Sequence, residues 1–223
     1  MRREFTARLY IFSFILTMII FSLGITIGLV VEKERLSLFD KMNMKQEVSL
    51  KSLQLQQAYI KSGETNCDAL NKIMEANMQE VTDSMTSIID YNEKSIADNE
   101  LFNLQLRDYF LTEIQFLTLS KETKLICGEE AVTIIYFYDE NPYDVQGKTL
   151  LYLKDIFGSK LLIFSFDSNF EDEPMIDVLM QSYNVSKFPT VVANENIFAG
   201  DTNAEELQAF ICAELNNEHE ACA

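Results

Sequence analysis

The stretch YNVSKFPTVV, Tyr183 to Val192, decides how the C-terminal half of this chain is read. Its first residues suit the end of a helix, Phe188 and Pro189 a short turn, and Thr190 the start of a buried strand. Pro189 is one of only three prolines and stands where a run of β-branched residues begins. Its ring fixes φ and removes an N–H, so it cannot lie inside a helix. The turn therefore separates a helix from a strand.

Working outward from that turn gives the order of elements. Downstream, the strand Thr190 to Ala193 meets a tight turn at Asn194-Glu195-Asn196. A short strand at Ile197 and Phe198 follows, then a last helix from about Asn203 to Leu215 and a polar tail, 217–223. Upstream, Pro174 suits the first turn of a helix after Asp172 and Glu173, and that helix carries Met175, Val178, Leu179 and Tyr183. Before it, LLIFSF, Leu161 to Phe166, has the composition of a buried strand. A helix from about Tyr143 to Phe157 is stopped by Gly158, which takes a left-handed cap without a Cβ clash. Ala131 to Tyr138, AVTIIYFY, is an unbroken β-branched and aromatic run, as a strand buried on both faces requires. The predicted class is α/β, with the order β-α-β-α-β-β-α.

The N-terminal half has a different character. Residues 9 to 31 carry no charge, and 23 such residues in a helix cover a hydrocarbon core of about 30 Å. No small-x-small cleavage site follows, because the chain passes directly to Glu32-Lys33-Glu34-Arg35. This predicts a transmembrane helix at 9–31. Arg2, Arg3 and Arg8 precede it, so the positive-inside rule places residues 1–8 in the cytoplasm and everything after 31 outside, at the cell membrane as a single-pass protein. From Glu32 to Lys61 the residues are good helix formers, with an imperfect stripe of Leu36, Phe39, Met42, Leu50, Leu53 and Tyr59. Ser62 to Asn66 is a break. A second helix follows with Leu70, Ile73, Met74, Met78, Val81, Met85, Ile88 and Ile89 at spacings of three and four. A third, from about Asn99 to Lys124, carries Leu101, Leu104, Tyr109, Phe110, Ile114 and Leu117. Stripes of this kind are core by ordinary burial preference. They predict two antiparallel helices that pack either on the stalk or on the domain that follows, with the helical stem placed at 32–126 and the domain at 127–216.

Charge narrows the partners. The formal net charge is -17, and from Gly128 to Ala223 there are 18 Asp and Glu against 4 Lys. A field of that sign repels nucleic-acid phosphates and anionic membrane surfaces. There is no Trp and a single histidine, His219, in the polar tail, so histidine-based catalysis has almost no material. Asp167, Asn169, Glu171 and Glu173 alternate like the opening of a calcium loop. The glycine of its sharp turn is missing, and the twelfth position is Val178 rather than Glu. They read as a solvated acidic loop, and neither a metal site nor a cofactor is expected.

Four features at these separations resemble the thioredoxin-like superfamily: the strand AVTIIYFY, the loop and helix directly after it, Phe188-Pro189-Thr190, and Gly200 after the last short strand. The resemblance covers roughly Cys127 to Leu215. It implies a cis-proline at 189, two first strands paired in parallel and an antiparallel final hairpin. It also implies a Cys-x-Pro-Cys motif after the first strand, where a helix N-terminus activates the first thiol. Glu140-Asn141-Pro142-Tyr143 stand there instead: Pro142 matches and both cysteines are replaced. A carboxylate and a phenol form no mixed disulfide, so dithiol chemistry is lost at this loop. What the resemblance leaves is a surface beside Pro189, with Tyr143, Phe188, Pro189 and Thr190 as candidates for holding an extended polypeptide.

Four cysteines allow three pairings. Cys67 precedes the second helix and Cys127 the first strand, so one bridge would staple the helices to the domain; Cys212 and Cys222 would close the tail. The expected function is a membrane-anchored, redox-inactive module that binds or positions polypeptides, redox partners or membrane proteins. A divergent thiol-disulfide oxidoreductase using Cys67/Cys127 or Cys212/Cys222, and a structural assembly protein, are the alternatives.

Overall fold

The structure is a computed structural model that describes residues 2–62, 66–93, 99–128, 131–139 and 144–222. It falls into two units, Met1–Glu64 and Thr65–Ala223. The first is a single helix, α1 (Arg2–Lys61), unbroken because no proline interrupts it. Its segment Leu9–Lys33 is long and apolar enough to cross a membrane. The two threonine hydroxyls within that segment are satisfied by the helix itself: Thr17 Oγ1 donates to the Ser13 carbonyl at 2.8 Å, and Thr26 Oγ1 to the Leu23 carbonyl at 2.9 Å. A span in hydrocarbon needs this internal accounting, since no water is there to supply a partner.

The second unit runs α2 (Cys67–Glu93), α3 (Asn99–Cys127), β1 (Val132–Tyr138), α4 (Val145–Phe157), β2 (Leu161–Asp167), α5 (Pro174–Ser182), β3 (Thr190–Ala193), β4 (Asn196–Ala199) and α6 (Ala204–Glu214). Its four strands form one mixed sheet in the order β2-β1-β3-β4. β1 and β2 are parallel, with Val132 opposite Leu161 and Tyr138 opposite Asp167. β3 runs antiparallel to β1, pairing Thr190 with Phe137, and β4 antiparallel to β3. The predicted helix starts hold at Pro174, which follows the N-cap Glu173, and the stop holds at Gly158, where φ is +54°.

Every residue of β1 is buried, and the alternation of a strand sends its side chains to two separate cores. Val132, Ile134, Tyr136 and Tyr138 pack with Leu150, Leu153 and Phe157 of α4 and Leu207 and Ile211 of α6. Ile135 and Phe137 pack with Phe164 and Phe166 of β2, Phe110, Ile114 and Leu117 of α3, and Ile176 of α5. Each large apolar side chain buried in this way contributes roughly 1.5–3 kcal/mol.

Three expectations change here. The boundary placed at 126/127 divides residues that fold together, because α3 supplies four of the ten buried residues of one core and the compact unit begins at Thr65. The apolar stripe of α2 is only partly core: Leu70 is buried, but Met78, Met85 and Ile89 are each nearly half exposed. The tail, read as polar, is partly packed. Ala221 and Cys222 pack against the α4/α6 core, Gln208 Nε2 donates to the Ala221 carbonyl at 2.8 Å, and His219 stacks on Phe157 at 4.9 Å between ring centroids.

α2 and α3 are antiparallel, and Gln115 Nε2 of α3 donates to Asn77 Oδ1 of α2 at 2.8 Å. One carboxyl on α3 reaches the sheet. Glu113 is buried; it accepts from the Tyr109 hydroxyl at 2.6 Å and from the backbone N–H of Ser165, on β2, at 3.2 Å. Burial outweighs these two hydrogen bonds and pushes its pKa up to about 8. A raised acid favours the folded state fully below its ordinary pKa, and that advantage is lost as pH rises toward the folded value. Replacing Glu113 with Gln removes the ionisation. The stability of Glu113→Gln relative to the native chain should therefore rise between pH 5 and pH 8, by up to about 1.4 kcal/mol per unit. Denaturant titrations of both proteins across that range provide the check.

Candidate functional site at the Pro189 turn

The turn is built from the end of α5. Tyr183 closes the helix, Asn184 takes a left-handed φ of +52°, and the Val185 N–H returns to the Met180 carbonyl at 2.9 Å. The chain then runs to Lys187, whose carbonyl accepts from the Thr190 hydroxyl at 2.7 Å. The Phe188-Pro189 peptide is cis. The Pro189 carbonyl accepts from the Gly200 N–H at 2.8 Å, tying the turn to the end of β4. Gly200 has φ of +88°, a conformation that a side chain would strain. Thr190 is buried between Phe137 and Ala199, whereas the Phe188 side chain is 38% exposed. Among the described residues no hydrogen bond engages the Phe188 backbone.

Glu140, Asn141, Pro142 and Tyr143, the loop expected to face this turn, lie outside the described residues. The residues just beyond it are placed firmly. Asp144 is the N-cap of α4, with Oδ1 accepting from the Gly147 N–H at 2.7 Å and from the Tyr136 hydroxyl at 2.6 Å. Burial first, and then the Asp144 carboxylate, hold the Tyr136 phenol well above its usual range, so it stays a proton donor. Gln146 is fully buried and accepts from the Thr202 N–H at 2.7 Å, joining the start of α4 to the segment after β4. Among the described residues its Nε2 has no hydrogen-bond partner. Sequence reasoning missed this trio. Asp144 carried a legible N-cap signal immediately before a helical run; nothing marked Tyr136 or Gln146 as more than core and surface.

The cysteines are elsewhere. Cys67 and Cys127 stand at disulfide distance with Cα atoms 5.6 Å apart, and Cys212 and Cys222 likewise at 5.5 Å. Both expected pairs are thus present. The first joins the start of α2 to the end of α3, a bridge within the helical pair. Near it, Lys124 Nζ reaches the Ala131 carbonyl at 3.0 Å and Asn194 Oδ1 at 3.3 Å, at the opposite end of β1 and β3 from Pro189. Asn194 also bonds Glu214 near the end of α6, which puts the last turn of that helix at this same end.

The acidic loop is not free in solvent either. Glu173 is buried against the Arg107 guanidinium of α3 at 2.9 Å, and its Oε1 accepts from the Met175 N–H at 3.0 Å. Asn103 donates to Asp172 at 3.3 Å. Among the described residues no three His, Cys, Asp or Glu side chains converge on a possible metal position.

No family model matches the chain, and no curated protein matches it. Among solved structures, one titled "Structure of a malarial protein" overlays on 38% of this chain and 98% of its own, at 17% identity and a TM-score of 0.32. That likeness is too slight to assign a fold.

Two measurements test the geometry. Removing the Cys67–Cys127 link with Ser at both positions should cost about 4 kcal/mol, against about 3 kcal/mol for Cys212–Cys222, because the closed loop is longer; denaturant titration of the two double variants gives the order. Asp144→Ala, which removes a cap and strands the Tyr136 hydroxyl, should cost about 2 kcal/mol more than a surface Asp→Ala change, read in the same way.

Proposed function

We propose that this chain is a single-pass membrane protein whose second unit is a thioredoxin-like domain without the dithiol, and that it holds extended polypeptide at the Phe188-Pro189 turn outside the cytoplasm. The fold part of the reading is supported by the strand order β2-β1-β3-β4, with one parallel pair and an antiparallel final hairpin. The anchor is supported by the apolar segment of α1, and its direction by Arg2, Arg3 and Arg8 ahead of it. Two cysteine pairs at disulfide distance suit an oxidising compartment.

The observation that carries the binding part is the state of Phe188. A large aromatic residue more than a third exposed stands just before the inner strand β3, with a backbone that makes no hydrogen bond among the described residues, so an extended segment laid there gains main-chain hydrogen bonds and an apolar contact together. Redox catalysis at this turn lacks a nucleophile, since neither cysteine pair is near Pro189 and Glu140 and Tyr143 occupy the positions where the resemblance expects thiols. The test uses the full chain in detergent. Phe188→Ala should weaken capture of an unfolded, carboxymethylated polypeptide by about tenfold, the loss expected of one partly buried aromatic contact. Capture unchanged by the substitution would overturn the reading.

A further inference from the structure

The sheet end that carries Pro189 gathers carboxylates. Asp139 continues β1 past Tyr138, and the pairing of Phe137 with Thr190 brings that continuation alongside Phe188. Asp167 ends β2 opposite Tyr138, and Asn169 bonds the Asp139 side chain, so both aspartates share this rim. Asp201 follows Gly200, whose N–H holds the Pro189 carbonyl. Asp144 lies behind them on the Tyr136 hydroxyl, close enough that it and Asp201 both act on that phenol. Against these four stands Lys187 as the cation of the turn itself. Asp139 and Asp201 are exposed, and Asp167 and Asp144 partly so.

An exposed aromatic side chain within such a rim makes a particular demand on its occupant. An acidic segment meets repulsion at both flanks; a basic one is drawn in, and its ammonium or guanidinium groups reach carboxylates on either side of the apolar contact. The rest of the domain reinforces the sign, with 18 acidic residues against 4 lysines from Gly128 onward. Resting on the proposed polypeptide site, we infer that its partner is an extended segment in which an apolar residue is flanked by lysine or arginine.

Three synthetic peptides sharing one apolar centre, flanked by lysines, glutamates or serines, separate the possibilities when titrated by fluorescence anisotropy against the full chain in neutral detergent. The lysine peptide should bind about tenfold more tightly than the serine peptide, the sum of two or three exposed charge pairs, and lose that margin in high salt. The double variant Asp139→Asn, Asp201→Asn should abolish the margin while leaving the serine peptide unaffected. Glu205→Gln with Glu206→Gln, on α6, should leave it within about twofold, the scale of a single exposed charge pair. Equal binding of the lysine and glutamate peptides overturns this inference alone. So does an equal loss from both double variants, which would place the attraction in the diffuse charge of the domain. Absence of binding by all three peptides overturns it together with the site on which it rests.

Discussion

The second unit depends on the double burial of β1. A strand with no exposed residue needs apolar cover on both sides, and its alternating side chains dictate what each cover must accommodate. On the side of Ile134 and Tyr136 the cover is α4 and α6, drawn from the crossover and the C-terminus. On the side of Ile135 and Phe137 the short α5 offers Ile176 as its one buried residue. Phe110, Ile114 and Leu117 of α3 complete that face. The α2–α3 pair is therefore part of the sheet's burial rather than a spacer in front of it.

The same dependence explains the polar links across this face. Glu113 reaches β2, Arg107 meets the buried Glu173 at the start of α5, and Lys121 bonds the hydroxyl of Tyr183 at its end. A charge or hydroxyl placed between two packed elements has to find its partner there, since unpaired burial costs about twice what the bond itself contributes. These contacts set the position of α3 along the sheet, which apolar packing alone constrains weakly.

Much of this was legible in the sequence, for identifiable reasons. AVTIIYFY and LLIFSF could only be strands, Pro174 and Gly158 punctuated their helices, and Pro189 separated α5 from β3. The pairing of Cys67 with Cys127 followed from their places at two segment ends. An amphipathic stripe, however, states that a face will be covered without saying by what, and so α3 was assigned to a stem. It also treats Met78 and Met85 as equal to Leu70, although the outer flank of α2 leaves them in solvent. Nothing in the sequence marks Glu113, because the amide it serves belongs to a strand far along the chain. At the site, Phe188, Pro189 and Thr190 were visible through the proline, while the Tyr136-Asp144 bond needed two elements brought together before it had meaning.

The Glu113 carboxyl also makes the two borders of the sheet unlike each other. β2 and β4 are both outermost strands, and such borders invite pairing with another chain. On β2 the outward N–H of Ser165 is already taken by a side chain from a helix lying over it. A neighbouring molecule offering a carbonyl to that border meets a donor already in use. Protection against sheet-to-sheet aggregation is thus supplied on the β2 side by a buried acid, and on the β4 side by a strand of only four residues with Glu195 just before it and Asp201 just beyond.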